Sequence, residues 1–206
     1  MEDDMEKTQR IGVLGGTFDP PHLAHLNIAL EACEQLNLDR VLWAITPEPP
    51  HKLSGVAASI HDRAAMLSLM IAPYPFFSLC TVDMERPGPY YAVDTLKIIA
   101  DQNKGAELVY LIGSDLLSNF ASWVRVKDLV STCDLIGVVT RQGRKADICK
   151  TLESIPEAAA KFREINIPPV ILSSHDIRER IRSGISIREM VVEPVFQYIE
   201  EHRLYK

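Results

Sequence analysis

His22 and His25 stand three residues apart in the run Gly15-Gly16-Thr17-Phe18-Asp19-Pro20-Pro21-His22-Leu23-Ala24-His25. At that spacing two imidazoles share one face of a first helical turn and can donate hydrogen bonds to the same group. Gly15 and Gly16 carry no Cβ, so their backbone can come close to an anion. A helix N-terminus adds unpaired N–H groups and the positive end of its dipole. Together these suit a phosphate chain. The glycines lack the G-x-G-x-x-G spacing of a dinucleotide fingerprint, and no Gly-Lys-Ser/Thr follows as in a Walker loop.

A second anion cradle is written in Leu172-Ser173-Ser174-His175-Asp176-Ile177-Arg178, where hydroxyls, N–H groups and a guanidinium converge at a helix start. Pro49-Pro50-His51-Lys52 is a stiffened loop with a flexible cation. Thr140-Arg141-Gln142-Gly143 is a turn carrying an arginine. Two other segments suit a flat ring. Ile112-Gly113-Ser114-Asp115 precedes Phe120-Ala121-Ser122-Trp123, whose indole offers a stacking plane. Pro89-Tyr90-Tyr91-Ala92-Val93-Asp94-Thr95-Leu96 opens a helix whose first N–H groups can take a carboxylate. Taken alone, Trp123 is a packing residue at a helix start, Tyr91 a core aromatic, Ser173 an ordinary N-cap and Lys52 a solvated loop lysine.

These residues need elements to hold them. Short Val/Ile/Leu-rich runs predict strands over residues 11–14, 40–46, 76–82, 107–112, 134–140 and 165–172. Helical periodicity predicts helices over 22–36, 60–72, 92–103, 176–183 and 194–202. Ser59 with Asp62 and Ser186 with Glu189 have capping-box spacing, and Pro194 suits a first turn. Strands alternating with helices predict an α/β fold: a Rossmann-like, doubly wound, mostly parallel sheet. The 206 residues fit one domain over 10–206, with a small C-terminal helical subregion from about 173 to 206 and a flexible tail over 1–9. The polar segment 141–163 reads as peripheral.

The hydrophobic content of 47% is enough for a buried core. A net charge of -6 disfavours general nucleic-acid binding, so an anionic substrate must meet a local cluster of cations. Cys33, Cys80, Cys133 and Cys149 form no C-x-x-C pair, which argues against a zinc site or disulfide framework and fits a reducing cytoplasm. Residues 1–10 lack the apolar core of a signal peptide, and no apolar run is long enough for a membrane span.

The first run resembles the Gly-Gly-Thr-Phe-Asp-Pro-x-His-x-x-His signature of the nucleotidylyltransferase superfamily, and more narrowly the nicotinate-nucleotide adenylyltransferase family. Ser173, Ser174 and Arg178 match that family's Ile-Ser-Ser-Thr-x-x-Arg signature. The remaining segments follow its order from Ile11 to Tyr205. The resemblance implies adenylyl transfer from ATP to nicotinate mononucleotide, giving deamido-NAD and pyrophosphate. It implies catalytic roles for His22, His25, Lys52 and Arg178, with His25 at the α-phosphate and Arg178 toward the leaving group. It places Gly15, Gly16, Thr17, Phe18, Gly113, Arg141, Ser173, Ser174 and Ile177 on ATP, and Tyr91, Val93, Thr95, Asp115 and Trp123 on nicotinate mononucleotide. Mg²⁺ is expected to bridge phosphate oxygens and waters, with no dedicated side-chain site. Three positions depart from the family pattern: Ala24 for Gly, Ala92 for Thr and His175 for Thr. A nicotinamide mononucleotide or phosphopantetheine acceptor, a class I aminoacyl-tRNA synthetase and a non-catalytic nucleotide sensor are the alternatives, and oligomerisation stays open.

Overall fold

The computed structural model describes residues 8–48, 56–141, 151, 153–168 and 172–206. Six strands form one sheet: β1 (Arg10–Gly16), β2 (Arg40–Ile45), β3 (Phe77–Cys80), β4 (Glu107–Gly113), β5 (Leu135–Arg141) and β6 (Phe162–Ile167). All neighbours pair parallel, in the order β3-β2-β1-β4-β5-β6. Seven α-helices lie among the described residues: α1 (Leu23–Leu36), α2 (Ile60–Ile71), α3 (Ala92–Gln102), α4 (Leu117–Phe120), α5 (Val126–Thr132), α6 (Ser174–Arg182) and α7 (Glu193–Glu201). This is the doubly wound, Rossmann-like α/β architecture that the alternation of strands and helices predicts.

Successive strand residues point to opposite faces, so a sheet covered on both sides needs two cores. Ile11 and Val13 of β1 join Leu42, Tyr110 and Val138 beneath α3, α4 and α5. Leu14 joins Trp43, Val109 and Val139 beneath α1, α2, α6 and α7. Small residues set how close α1 can lie. A Cβ at Gly12 would stand 2.7 Å from Leu38, and one at Gly137 would stand 2.8 Å from Leu111 and 3.0 Å from Leu36.

Four expectations change. β6 begins at Phe162 rather than 165 and ends at Ile167, and residues 169–171 lie outside the described set. It pairs only with β5, and Arg163, Glu164 and Asn166 face outward, so a search for a continuous apolar run is drawn past it. α4 and α5 fill the stretch after β4, which the periodicity left without a helix. Their four and seven residues are too short to show an apolar stripe. Ser186 caps no helix; it sits in a turn where Met190 N–H donates to the Ile187 carbonyl, with Ile187 and Val191 buried in the core. Tertiary burial overrides the local capping signal there. Part of the segment expected to be peripheral is also buried, since Ile155 and Ala158 pack into the second core. Ser59 does cap α2, accepting from Asp62 N–H at 3.1 Å, and Pro194 lies in the first turn of α7.

Candidate active site

The strand order turns back on itself between β1 and β4. Ligands of open α/β sheets bind in the crevice beyond the carboxyl ends of strands at such a point. A cleft of about 750 Å³ opens there. Gly15, Gly16, Thr17, His22 and His25 line one side of it, with Ser173, Ser174, His175 and Arg178 from the start of α6. Tyr91, Val93, Thr95, Asp115 and Trp123 line the rest. The two expected anion cradles, 157 residues apart in sequence by the positions of Thr17 and Ser174, therefore share one cleft.

The β1–α1 loop is shaped by packing. Phe18 is buried in a left-handed conformation (φ 48°), with its ring against His25 and Trp43. A Cβ on Gly16 would stand 3.0 Å from that ring, tight enough that Phe18 would have to give way by a few tenths of an ångström. A Cβ on Gly15 would meet only the Tyr110 hydroxyl at 3.9 Å, so nothing in the protein forbids it. Its bareness serves the cleft. His22 is the N-cap of α1, in extended conformation. Its N–H donates to His25 Nδ1 at 3.3 Å, and the two rings stack at 3.7 Å. An Nδ1 that accepts leaves Nε2 as the protonated edge of a neutral His25, the tautomer suited to donating to a phosphate oxygen.

α6 is bonded directly to this loop. Ser174 Oγ donates to the Pro20 carbonyl at 2.9 Å, and Arg178 Nη1 donates to the Asp19 carbonyl at 2.7 Å. Ser173 Oγ caps α6, accepting from Asp176 N–H at 3.1 Å. Three expected ATP residues stand behind the lining. Phe18 and Ile177 are buried in the core, and Gly113 leaves room for the Asp115 carboxylate, which a Cβ would meet at 2.4 Å. Lys52 lies outside the described residues. Arg141 ends β5, and the rest of its loop, Gln142 and Gly143, also lies outside.

In the other half, Tyr91 is the N-cap of α3, and the Ala92 and Val93 amides precede its first intrahelical donor, Asp94 N–H. Thr95 Oγ1 donates to Asp83 at 2.9 Å, while Arg86 pairs with the same carboxylate at 2.8 Å. The Thr95 hydroxyl is thus part of the wall's own network. Trp123 packs its ring against Phe120 at 5.2 Å and presents the remainder to the cleft. Burial pushes the Tyr110 phenol on the cleft floor well above its ordinary range, so it stays a proton donor.

The residues that hold the site were not singled out in the sequence. Arg63, 1% exposed, donates to the carbonyls of Thr17 (2.8 Å), Thr46 (2.8 Å), Pro47 (2.7 Å) and Ala58 (3.2 Å). It stitches the β1–α1 loop to the stretch after β2 and the entry to α2. Its signal was present: Arg63, Met66, Leu67 and Met70 recur at i, i+3, i+4 and i+7, which puts an arginine on the buried face. Asp19 is the second hub, accepting from Ala57 N–H, Ala58 N–H and the Tyr205 hydroxyl. No spacing rule links Asp19 to Tyr205.

Residues 13–180 match the Cytidylyltransferase-like family model. A protein of Thermomicrobium roseum named "Probable nicotinate-nucleotide adenylyltransferase" is 36% identical over 197 residues, covering 96% of this chain and 92% of its own. One of the same name from Gloeobacter violaceus is 37% identical over 199 residues, covering 96% of each. Among solved structures, Plasmodium falciparum nicotinic acid mononucleotide adenylyltransferase complexed with NaAD superposes with a TM-score of 0.75 at 24% identity. That match covers 96% of this chain and 97% of the other. The same enzyme complexed with APC gives a TM-score of 0.74. At this identity over nearly the whole length, the chain belongs to the nicotinate-nucleotide adenylyltransferase family.

Proposed function

We propose that this protein transfers the adenylyl group of ATP to nicotinate mononucleotide, forming deamido-NAD and pyrophosphate in NAD biosynthesis. The observation that carries the reading is the shared cleft, in which Ser174 and Arg178 of one cradle are hydrogen-bonded to the backbone of the other. A triphosphate lying across it meets both helix starts at once.

A phosphate oxygen of the mononucleotide attacks the α-phosphorus in line, and the α–β bridging oxygen leaves with pyrophosphate. No side-chain nucleophile is needed; alignment and neutralisation of developing charge do the work. His25, donating from Nε2, takes the α-phosphate, with His22 beside it. Arg178 faces the leaving pyrophosphate, and the family resemblance gives Lys52 a phosphate contact as well. Gly15, Gly16 and Thr17 floor the triphosphate, and Ser173 and Ser174 cap its far end. Phe18, Ile177 and Gly113 act from behind, by shaping the backbone, and Arg141 borders the adenine. Donors on this side are N–H groups, imidazoles and a guanidinium, while Asp19's oxygens are engaged by Ala57, Ala58 and Tyr205. That donor set fits phosphate oxygens rather than a metal ion, so Mg²⁺ would enter as part of the Mg-ATP substrate and supply charge neutralisation there.

The pyridine ring stacks on Trp123, with Asp115 and Tyr91 beside it and Thr95 steadying the wall. The Ala92 and Val93 amides at the start of α3 favour a carboxylate, which selects nicotinate over nicotinamide. Residues 10–206 work as one unit in this reading, because the 173–206 subregion supplies one cradle. The cytoplasm is the proposed setting, in keeping with the unpaired thiols of Cys33, Cys80 and Cys133. Among the described residues no helix is long and apolar enough to cross a membrane.

The test is pyrophosphate release from Mg-ATP with nicotinate mononucleotide, nicotinamide mononucleotide and phosphopantetheine side by side. Turnover with nicotinate mononucleotide at least tenfold above the others, by kcat/KM, is expected. ATP binding without pyrophosphate release from any acceptor would refute the activity.

A further inference from the structure

After α7 the chain bends through Arg203 (φ 51°) and Tyr205 (φ 67°), both in the left-handed region that L-residues avoid. Leu204 N–H donates to the Ile199 carbonyl at 3.0 Å, and Leu204 and Tyr205 pack against the core. The bend delivers the Tyr205 hydroxyl to Asp19 Oδ1 at 2.9 Å. Asp19 is 3% exposed and lines the cleft. Its carbonyl holds Arg178 Nη1 at 2.7 Å, while its Oδ2 stands 3.9 Å from the same guanidinium nitrogen. The oxygen nearest Arg178, Oδ2, accepts from Ala57 N–H at 2.7 Å, while Oδ1 accepts from Ala58 N–H at 3.1 Å and from the phenol.

We propose that Tyr205 is a positioning residue for adenylyl transfer: its phenol holds the Asp19 carboxylate back from Arg178, so that the guanidinium stays available to the leaving pyrophosphate. This rests on the function proposed above. Burial, and then the neighbouring Asp19, push the Tyr205 phenol far above the ordinary range, so it remains a donor at every assay pH. Without the phenol, Oδ1 keeps only the longer Ala58 bond, so the carboxylate can turn toward Arg178 about its Ala57 contact and draw the cation away from phosphate. A built-in control exists. Tyr198 of α7 makes the same kind of bond, to Asp62 Oδ1 at 3.0 Å in the first turn of α2, and Asp62 does not line the cleft.

The experiment compares Tyr205→Phe and Tyr198→Phe in the full chain by melting temperature, by KM for each substrate and by kcat. Tyr205→Phe keeps the ring and removes one oxygen. It should lower kcat/KM for ATP about tenfold, as losing one hydrogen bond to a charged group does, and leave KM for nicotinate mononucleotide within about twofold. Tyr198→Phe should lower the melting temperature and leave both kinetic constants within about twofold. Asp19→Asn removes the charge that would close on Arg178, so adding Tyr205→Phe to it should bring no further ATP-side loss. Unchanged ATP kinetics in Tyr205→Phe, equal losses in both tyrosine variants or additive losses in the Asp19/Tyr205 cycle would overturn the proposal. Equilibrium binding of a non-hydrolysable ATP analogue reads the same loop without turnover, and equal affinity in wild type and Tyr205→Phe also overturns it. Wild-type protein that binds the analogue but releases no pyrophosphate sinks the proposed activity instead.

Discussion

Replacing Arg63 by Met keeps the aliphatic stem and removes the guanidinium that joins four backbone carbonyls around the first phosphate loop. Hydrogen bonds to a charged group contribute about 1.5–3 kcal/mol each, so four sum to a gross ~6–12 kcal/mol. Burying the cation offsets part of this: desolvation lowers the Arg63 pKa, and the penalty for a buried ion is about several kcal/mol. The net cost of Arg63→Met is then about 3–5 kcal/mol, typical of breaking a buried ionic network from one side. At ~2–4 °C per kcal/mol for a chain of this size, the melting temperature should fall by roughly 6–20 °C. Below the transition, KM for ATP should rise, since the Thr17, Thr46 and Pro47 carbonyls lose their shared anchor. Arg63→Lys should recover only a fraction, because an ammonium cannot span that fork. Calorimetry and pyrophosphate release measure the two effects separately. A melting temperature within about 2 °C of wild type, with KM for ATP unchanged, would show that the loops hold themselves and that the stitching argument is wrong.

His25→Ala should lower kcat by roughly 10²-fold or more at saturating substrates, as losing a transition-state donor does; a loss under about threefold with folding intact removes His25 from the mechanism. Trp123→Ala should weaken nicotinate mononucleotide by about 1–3 kcal/mol in equilibrium titration and leave ATP untouched; weakened ATP binding alone would reverse the assignment of the two halves. Burial pushes the thiols of Cys33 and Cys133 up to about 11 and about 12, and raises that of Cys80 as well. A raised thiol pKa means the protonated, unreactive form dominates until the pH approaches it. Native protein should therefore resist iodoacetamide at these positions at pH 8 and react faster only as the pH climbs. Rapid labelling of Cys133 at pH 8, mapped by mass spectrometry, would contradict its burial.

How far the sequence could be read depends on the range of the interactions. Gly15 to His25 was legible because a strand, a tight turn and a helix start follow each other without interruption, and each has its own local signature. The pairing of that loop with Ser174 and Arg178 could be inferred from chemistry alone, since both are anion cradles. The hydrogen bonds to the Pro20 and Asp19 carbonyls that join them could not, because backbone acceptors leave no trace in residue types. Tyr205 and Asp19 escaped for the same reason: a bond spanning 186 positions is set by topology. Ser186 and Glu189 misled because local capping chemistry is weaker than the burial of Ile187 and Val191 beside them. Gly16 also has a packing reason that no spacing reveals, since a Cβ there would crowd the Phe18 ring at 3.0 Å.

The two halves of the cleft also differ in how their cations are held, which bears on how an acidic protein could receive a triphosphate under the proposed function. On the phosphate side, Arg178 is oriented by a carbonyl at 2.7 Å, with the nearest carboxylate oxygen of Asp19 at 3.9 Å. A carbonyl fixes direction without cancelling charge, so the guanidinium keeps most of its attraction for a ligand anion. Ser174 is oriented by a carbonyl in the same way, and the Asp19 carboxylate is held by backbone amides and a phenol. In the ring-binding half, Arg86 sits 2.8 Å from Asp83, and Thr95 bonds to the same carboxylate, so that cation is neutralised where it stands. Two unit charges at about 4 Å interact with roughly 4 kcal/mol at an effective dielectric constant of 20, so Asp19 at 3.9 Å compensates Arg178 in part, less closely than Asp83 at 2.8 Å compensates Arg86. A net charge of -6 therefore does not set the sign of the site. The local sign depends instead on how closely each arginine approaches a carboxylate.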